Sequence, residues 1–133
     1  MPYTLSWLVD KRVLYLVVEG EVTATLIRDI IVESVAMAKE GIYPVHTITN
    51  ATQAKSIPKN TPAILNEFKN TKLETTGFSV IITTNPLIRF FSQFLLTLFR
   101  LELRFASDLD NAMVILGRMD NTIPIDPALL DDD

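Results

Sequence analysis

A chain of 133 residues can bury one sizeable core, and 48% apolar with 21% charged residues excludes a disordered or fibrous composition. The absence of cysteine excludes disulfides and thiolate metal sites, and a single histidine makes a poor start for an imidazole metal centre. A net charge of -4 argues against a nucleic-acid partner, because affinity for phosphate rests on clustered Lys and Arg.

Met1-Pro2-Tyr3-Thr4 shows no basic region followed by an apolar run, so no signal peptide is expected. No stretch supplies the roughly 20 predominantly apolar residues of a membrane span. A cytoplasmic location is the default expectation.

Tyr3 to Val9 alternates large with small or polar side chains and predicts a strand. Asp10-Lys11-Arg12 is a tight polar turn, and Val13 to Val18 is an apolar, β-branched run. The pair predicts an N-terminal hairpin whose second strand lies inside the sheet. Leu26, Ile27, Ile30, Ile31, Val35 and Ala38 mark one helical face, with Thr23 or Thr25 as cap and Gly41 as the expected left-handed stop. Tyr43 to Asn50 predicts a third strand with Pro44 near its first position.

Ala51 to Asn60 is polar and predicts a long loop. Thr61-Pro62 then opens a short helix with Ile64, Leu65 and Phe68 on its buried side. Gly77 to Thr83 predicts a fourth strand. Asn85 caps the next helix and Pro86 takes its first turn. Glu102 to Ala106 predicts a fifth strand. Ser107-Asp108-Leu109-Asp110 reads as an N-cap before Ala112, Met113, Ile115, Leu116 and Met119.

The order ββαβαβαβα predicts one α/β domain over residues 1–120. Its sheet has five mostly parallel strands with an antiparallel first strand, and helices pack on it. Residues 121–133, with Pro124, Pro127 and Asp131-Asp132-Asp133, predict an acidic tail without fixed structure.

This element order, with the place of the loop after the third strand, resembles the STAS domain, the fold of anti-sigma-factor antagonists, over roughly residues 3–119. The resemblance implies a non-enzymatic regulatory module that binds a protein partner. In that family an aspartate ends the third strand, and a loop leads to Asp-Ser-Ser-Gly or a similar helix start, whose hydroxyl is phosphorylated. Here the strand ends at Asn50 and the helix start reads Pro58-Lys59-Asn60-Thr61. The expectation is a divergent member without the phosphorylatable serine motif. The CRAL-TRIO lipid-binding fold shares some of this topology, but the chain is short for its cavity.

His46 has no nearby paired carboxylate and no evident serine partner, and is expected to be a partly exposed residue at a strand start. Glu19 and Glu21 flank Gly20 and suit a solvated turn before a helix. Ligands on open α/β sheets bind beyond the carboxyl ends of strands. Asn50, Thr52, Gln53, Ser56, Asn60, Thr61, Thr83, Thr84 and Asn85 are therefore the candidate switch or ligand loops. No Gly-rich phosphate loop is present, and no cofactor or metal is expected.

The helix from Pro86 carries more apolar surface than one buried face needs. On a wheel, Leu87, Phe90, Phe91, Phe94, Leu98 and Leu101 are predicted to face the sheet, with Arg89, Gln93 and Arg100 opposite. Ile88, Leu95, Leu96 and Phe99 form an apolar flank, the expected interface with a second copy or another regulatory protein. Membrane contact through the same flank is disfavoured by the negative net charge. The second functional reading is a small-molecule or lipid-binding module using the loops after strands three and four.

Overall fold

The computed structural model describes residues 2–58, 66, 76–98 and 101–124, with backbone alone at 76, 95, 96 and 98. Strands β1 (Tyr3–Val9) and β2 (Val13–Glu21) form the expected antiparallel hairpin. Lys11 turns it with φ 61, and the Arg12 amide donates to the Val9 carbonyl at 3.0 Å. Helix α1 (Ala24–Lys39) leads to β3 (Val45–Ser56). Then come β4 (Thr76–Ile82), α2 (Pro86–Leu98), β5 (Leu103–Ala106) and α3 (Leu109–Met119). The strands stand in the order β1-β2-β3-β4-β5, and every pair after the first is parallel. The architecture matches the expected α/β sheet. The expected helix from Thr61 lies outside the described residues except for Asn66, which is helical.

Side-chain alternation sorts the sheet into two faces. Leu16, Val18, Ala51, Ala54 and Ile81 pack with Leu26 and Ile27 of α1 and Ile88 and Phe91 of α2. Val13, Ile48, Val80, Ile82 and Ala106 pack with Ala112 and Leu116 of α3. One face thus carries α1 and α2, the other α3. Ile123 joins the α3 face at 4% exposure, so the packed body runs past residue 120. Residues 125–133 of the expected tail lie outside the described residues.

The helix starts follow their caps. Thr23 Oγ1 accepts from the Leu26 amide at 3.1 Å, Asn85 Oδ1 from Leu87 at 2.9 Å, and Asp108 Oδ1 from Asn111 at 2.8 Å. Gly41 corrects its expectation. The cap of α1 is Glu40 in the right-handed region, and Gly41 is not left-handed. A Cβ at Gly41 would lie 2.7 Å from Val45 Cγ2, 2.8 Å from the Lys11 carbonyl oxygen and 2.9 Å from the Trp7 ring. Close packing of three segments, not backbone conformation, selects glycine there.

The polar loop expected from Ala51 is instead the second half of β3. Glu19, Gly20 and Glu21 of β2 pair with Gln53, Ala54 and Ser56. Two register shifts on this side each give β3 an extra residue, and Gly20 sits between them at φ 75. The bulge spaces buried Ala51 and Ala54 by three rather than two. That broken alternation, with exposed Thr52, Gln53 and Lys55 between, disguises the strand.

Helix α2 is also rotated from expectation. Ile88 and Phe91 are buried at 5% and 6%, while Leu87, Phe90 and Phe94 are 51%, 68% and 46% exposed. Ile88, expected on the outer flank, faces the core. Arg89, expected opposite the sheet, stands with its guanidinium 4.4 Å from the centre of the Phe105 ring on β5. A wheel that counts arginine as purely polar misses this. Its stem covers apolar surface and its head stacks on an aromatic face.

Candidate functional site

Three groupings of side chains hold the polar and exposed features from which function can be read. The first is the carboxyl end of β3 and β4. Asn50 pairs with Ile82 in register, so the segment after β4 starts beside it. Asn50 Nδ2 donates to the Tyr15 hydroxyl at 3.0 Å, and its Oδ1 accepts from the Thr52 amide at 3.1 Å and hydroxyl at 2.7 Å. Thr83 is buried, and its Oγ1 accepts from the Asn85 amide at 3.2 Å. Asn85 is engaged as the cap of α2. Thr84 is exposed.

Asn50, Thr52, Thr83 and Asn85 are therefore occupied by local bonds. Among the described residues, no buried side-chain nitrogen or oxygen lacks a partner. Asn50, Thr52 and Ser56 lie on a strand rather than in a loop, and Ser56 pairs with Glu21. Asn60 and Thr61 lie outside the described residues.

The second grouping is one the residue-by-residue reading missed. His46, expected to be partly exposed and without a carboxylate, is fully buried at 0% exposure on the α3 face of β3. Its Nε2 lies 2.7 Å from Asp120 Oδ2, a residue 74 positions away in sequence. The Phe78 amide of β4 donates to Nδ1 at 2.8 Å, and the Phe78 ring stacks on the imidazole at 5.1 Å between centres. A backbone amide can only donate, so Nδ1 is the acceptor and the proton sits on Nε2, pointing to Asp120.

Asp120 follows the last turn of α3 and gathers the rest. Arg12 Nη2 donates to Asp120 Oδ2 at 3.1 Å and to Thr122 Oγ1 at 3.0 Å, while Arg12 Nε reaches the Pro44 carbonyl at 3.2 Å. Thr122 donates to Asp120 Oδ1 from its hydroxyl at 2.6 Å and its amide at 3.0 Å. The Thr122 hydroxyl, then His46, hold the Asp120 carboxyl well below the usual carboxylate range, against the opposing effect of burial.

The pair superficially has the makings of a general base oriented by a carboxylate. Both ring nitrogens are engaged and the ring is sealed from solvent, so neither can reach a substrate proton. The signal that could have found the buried ring is parity. His46 shares its face of β3 with Ile48, and that face is covered by α3.

The third grouping is the outer face of α2. Leu87, Phe90 and Phe94 recur at helical spacing, and the rings of Phe90 and Phe94 stack at 6.4 Å. Of the expected flank, Ile88 is in the core, and the side chains of Leu95, Leu96 and Phe99 lie outside the described residues. On the inner side of α2 an apolar cavity of about 180 Å³ opens between α1, α2 and the sheet, lined by Leu16, Val18, Ile27, Ile31, Ile81 and Phe91 among others.

Among the described residues no three His, Cys, Asp or Glu side chains gather where they could hold a metal. No helix among them is long and apolar enough to cross a membrane.

No family model matches the chain, and no curated protein does. Solved structures do. An uncharacterized protein of the DUF3478 family with a SpoIIAA-like fold, from Shewanella loihica PV-4, is similar at a TM-score of 0.60 and 15% identity. The match covers 86% of this chain and 91% of that one. The anti-sigma factor antagonist SpoIIAA in its unphosphorylated form is similar at a TM-score of 0.59 and 14% identity, covering 92% of this chain and 99% of that one. The hairpin, the parallel run from β2 to β5 and the helices packed on both faces give this chain a SpoIIAA-like fold.

Proposed function

We propose that the chain is a non-enzymatic regulatory module that works by protein–protein contact, with the outer face of α2 as its contact surface and a second copy of itself as the partner. The observation that carries this reading is the exposed stripe of Leu87, Phe90 and Phe94 on a body of SpoIIAA-like fold. Three large apolar side chains aligned on one helix and left to water are the kind of feature that marks interaction surfaces.

The stripe is small. At about 200 Å² for a large aromatic side chain, its exposed part comes to roughly 300 Å². A stable interface takes about 800 Å² from each partner, so the contact is weak or recruits neighbouring residues. Size-exclusion chromatography with light scattering tests it. The expected outcome is a concentration-dependent dimer that Phe90→Glu converts to monomer without loss of circular dichroism. A strict monomer at high micromolar concentration, unaltered by Phe90→Glu, removes the homodimer.

The apolar cavity supports a second reading, a module that takes a small apolar or lipid ligand. This differs from a ligand at the polar strand ends, where the side chains are already bonded to one another. Native mass spectrometry of protein purified from cells, with a thermal-shift series of fatty acids, tests that reading. A clean apo mass and no shift count against it.

A further inference from the structure

We infer that the only histidine of the chain forms an acid-sensitive latch at the amino-terminal end of the parallel strands. Four segments distant in sequence are tied together around it: the start of β4 through Phe78 and the end of α3 through Asp120 bond the ring at the start of β3, and Arg12 of the β1–β2 turn joins through Asp120 and Thr122. The Arg12 carbonyl also accepts from the His46 amide at 2.8 Å. A Cβ at Gly77 would overlap ring atoms Nδ1 and Cε1, so β4 lies directly against the imidazole. None of this is needed for the α2 surface, which lies on the opposite face of the sheet.

The latch works because its donors and acceptors match in one protonation state only. With Nδ1 bare, the Phe78 N–H has an acceptor and the Asp120 carboxylate accepts a hydrogen bond from Nε2–H. A second proton on the ring would have to sit on Nδ1, facing the Phe78 amide. Two donors then meet in a space sealed from water, and the amide loses its partner. The Asp120 carboxylate favours an imidazolium, but Arg12 already lies 3.1 Å from the same oxygen and offsets its charge.

The charged side chains bonded around the ring are Asp120 and Arg12. Asp10 and Lys11 are in the exposed turn, and Arg118 is in the last turn of α3. Glu19, Glu21 and Lys55 lie at the far ends of β2 and β3, Asp110 is in the first turn of α3, and the described part of β4 has none. Protonating the ring therefore releases the Phe78 amide, and with it the start of β4, while Nε2 still donates to Asp120.

Imidazole is the side chain that ordinarily changes charge between pH 5 and 8, and this chain has one, so His46→Gln serves as the control for every other group. The test uses the full chain at about pH 7.5 and about pH 5, above the ordinary range of carboxylates. Ring-nitrogen NMR reads the tautomer, hydrogen exchange reads the Phe78 amide, and thermal melts read stability.

At the higher pH the expected state has the proton on Nε2 and a protected Phe78 amide. On acidification that protection falls at least tenfold, and Tm drops by about 5 °C more in wild type than in His46→Gln. Equal Phe78 protection at both pH values overturns the latch, as does an equal Tm loss in wild type and His46→Gln. If His46→Gln does not fold, the wild-type exchange measurement decides alone.

Discussion

Asp120 ties the end of α3 to the β1–β2 turn and to β3. It accepts from Arg12, His46 and Thr122 at once, so Asp120→Ala leaves the buried imidazole N–H without its acceptor and takes one of three acceptors from Arg12. The expected loss is about 2 kcal/mol in a denaturant melt, well above an ordinary surface substitution. Because its carboxyl is held below the usual range, the folded state binds this proton less readily than the unfolded chain does. The stabilisation is therefore complete above about pH 4 and is lost as pH falls further. Acid denaturation of wild type should be steeper than that of Asp120→Asn over that range.

At the opposite corner, Tyr3 donates to the Glu33 carboxylate on α1, and this bond first of all pushes the phenol up to about 12. Its contribution is present below the ordinary tyrosine range and lost as pH rises through about 12. An alkaline absorbance titration should show one tyrosine ionising late, and Glu33→Gln should return it to the others.

Helix α2 was legible as an element but not in its orientation. Asn85-Pro86 announced its start, and the structure bears out that cap. Phe91 faces inward as the wheel expects, but the rest of the inner face was decided by packing that the wheel does not contain: Ile88 against the sheet, Arg89 over Phe105. The consequence is testable by a pair of substitutions. Ile88→Ala should cost about 3 kcal/mol, as truncation of a buried side chain does, whereas Phe90→Ala should change stability by less than about 1 kcal/mol. Equal effects in a chemical melt would return the helix to the orientation the wheel predicts.

The second half of β3 was hidden for a different reason. Its pattern follows the bulges opposite Gly20, and a register shift leaves no simple period in one strand's sequence. Gly41 was singled out for the wrong property. Gly41→Ala should destabilise by about 2 kcal/mol through overlap with Val45 and the Lys11 carbonyl.

For the molecule as a whole, strand and helix order alone carried the fold, because alternation with short links leaves few sheet topologies. SpoIIAA shares this fold at 14% identity, so the layers do not depend on most of the particular side chains. The His46 network was illegible because its members sit at positions 12, 46, 78, 120 and 122, and no local pattern joins them. Function was the least legible, since the proposed contact would need only an exposed apolar surface, not a motif.

That surface is where the account is most exposed to test. Hydrogen exchange, compared between low-micromolar and several-hundred-micromolar protein, reads it in the native chain. Self-association through α2 predicts slower exchange at high concentration confined to Leu87–Phe94 and its immediate neighbours, abolished by Phe90→Glu. Identical exchange at both concentrations, or slowing on the α3 face instead, would contradict it.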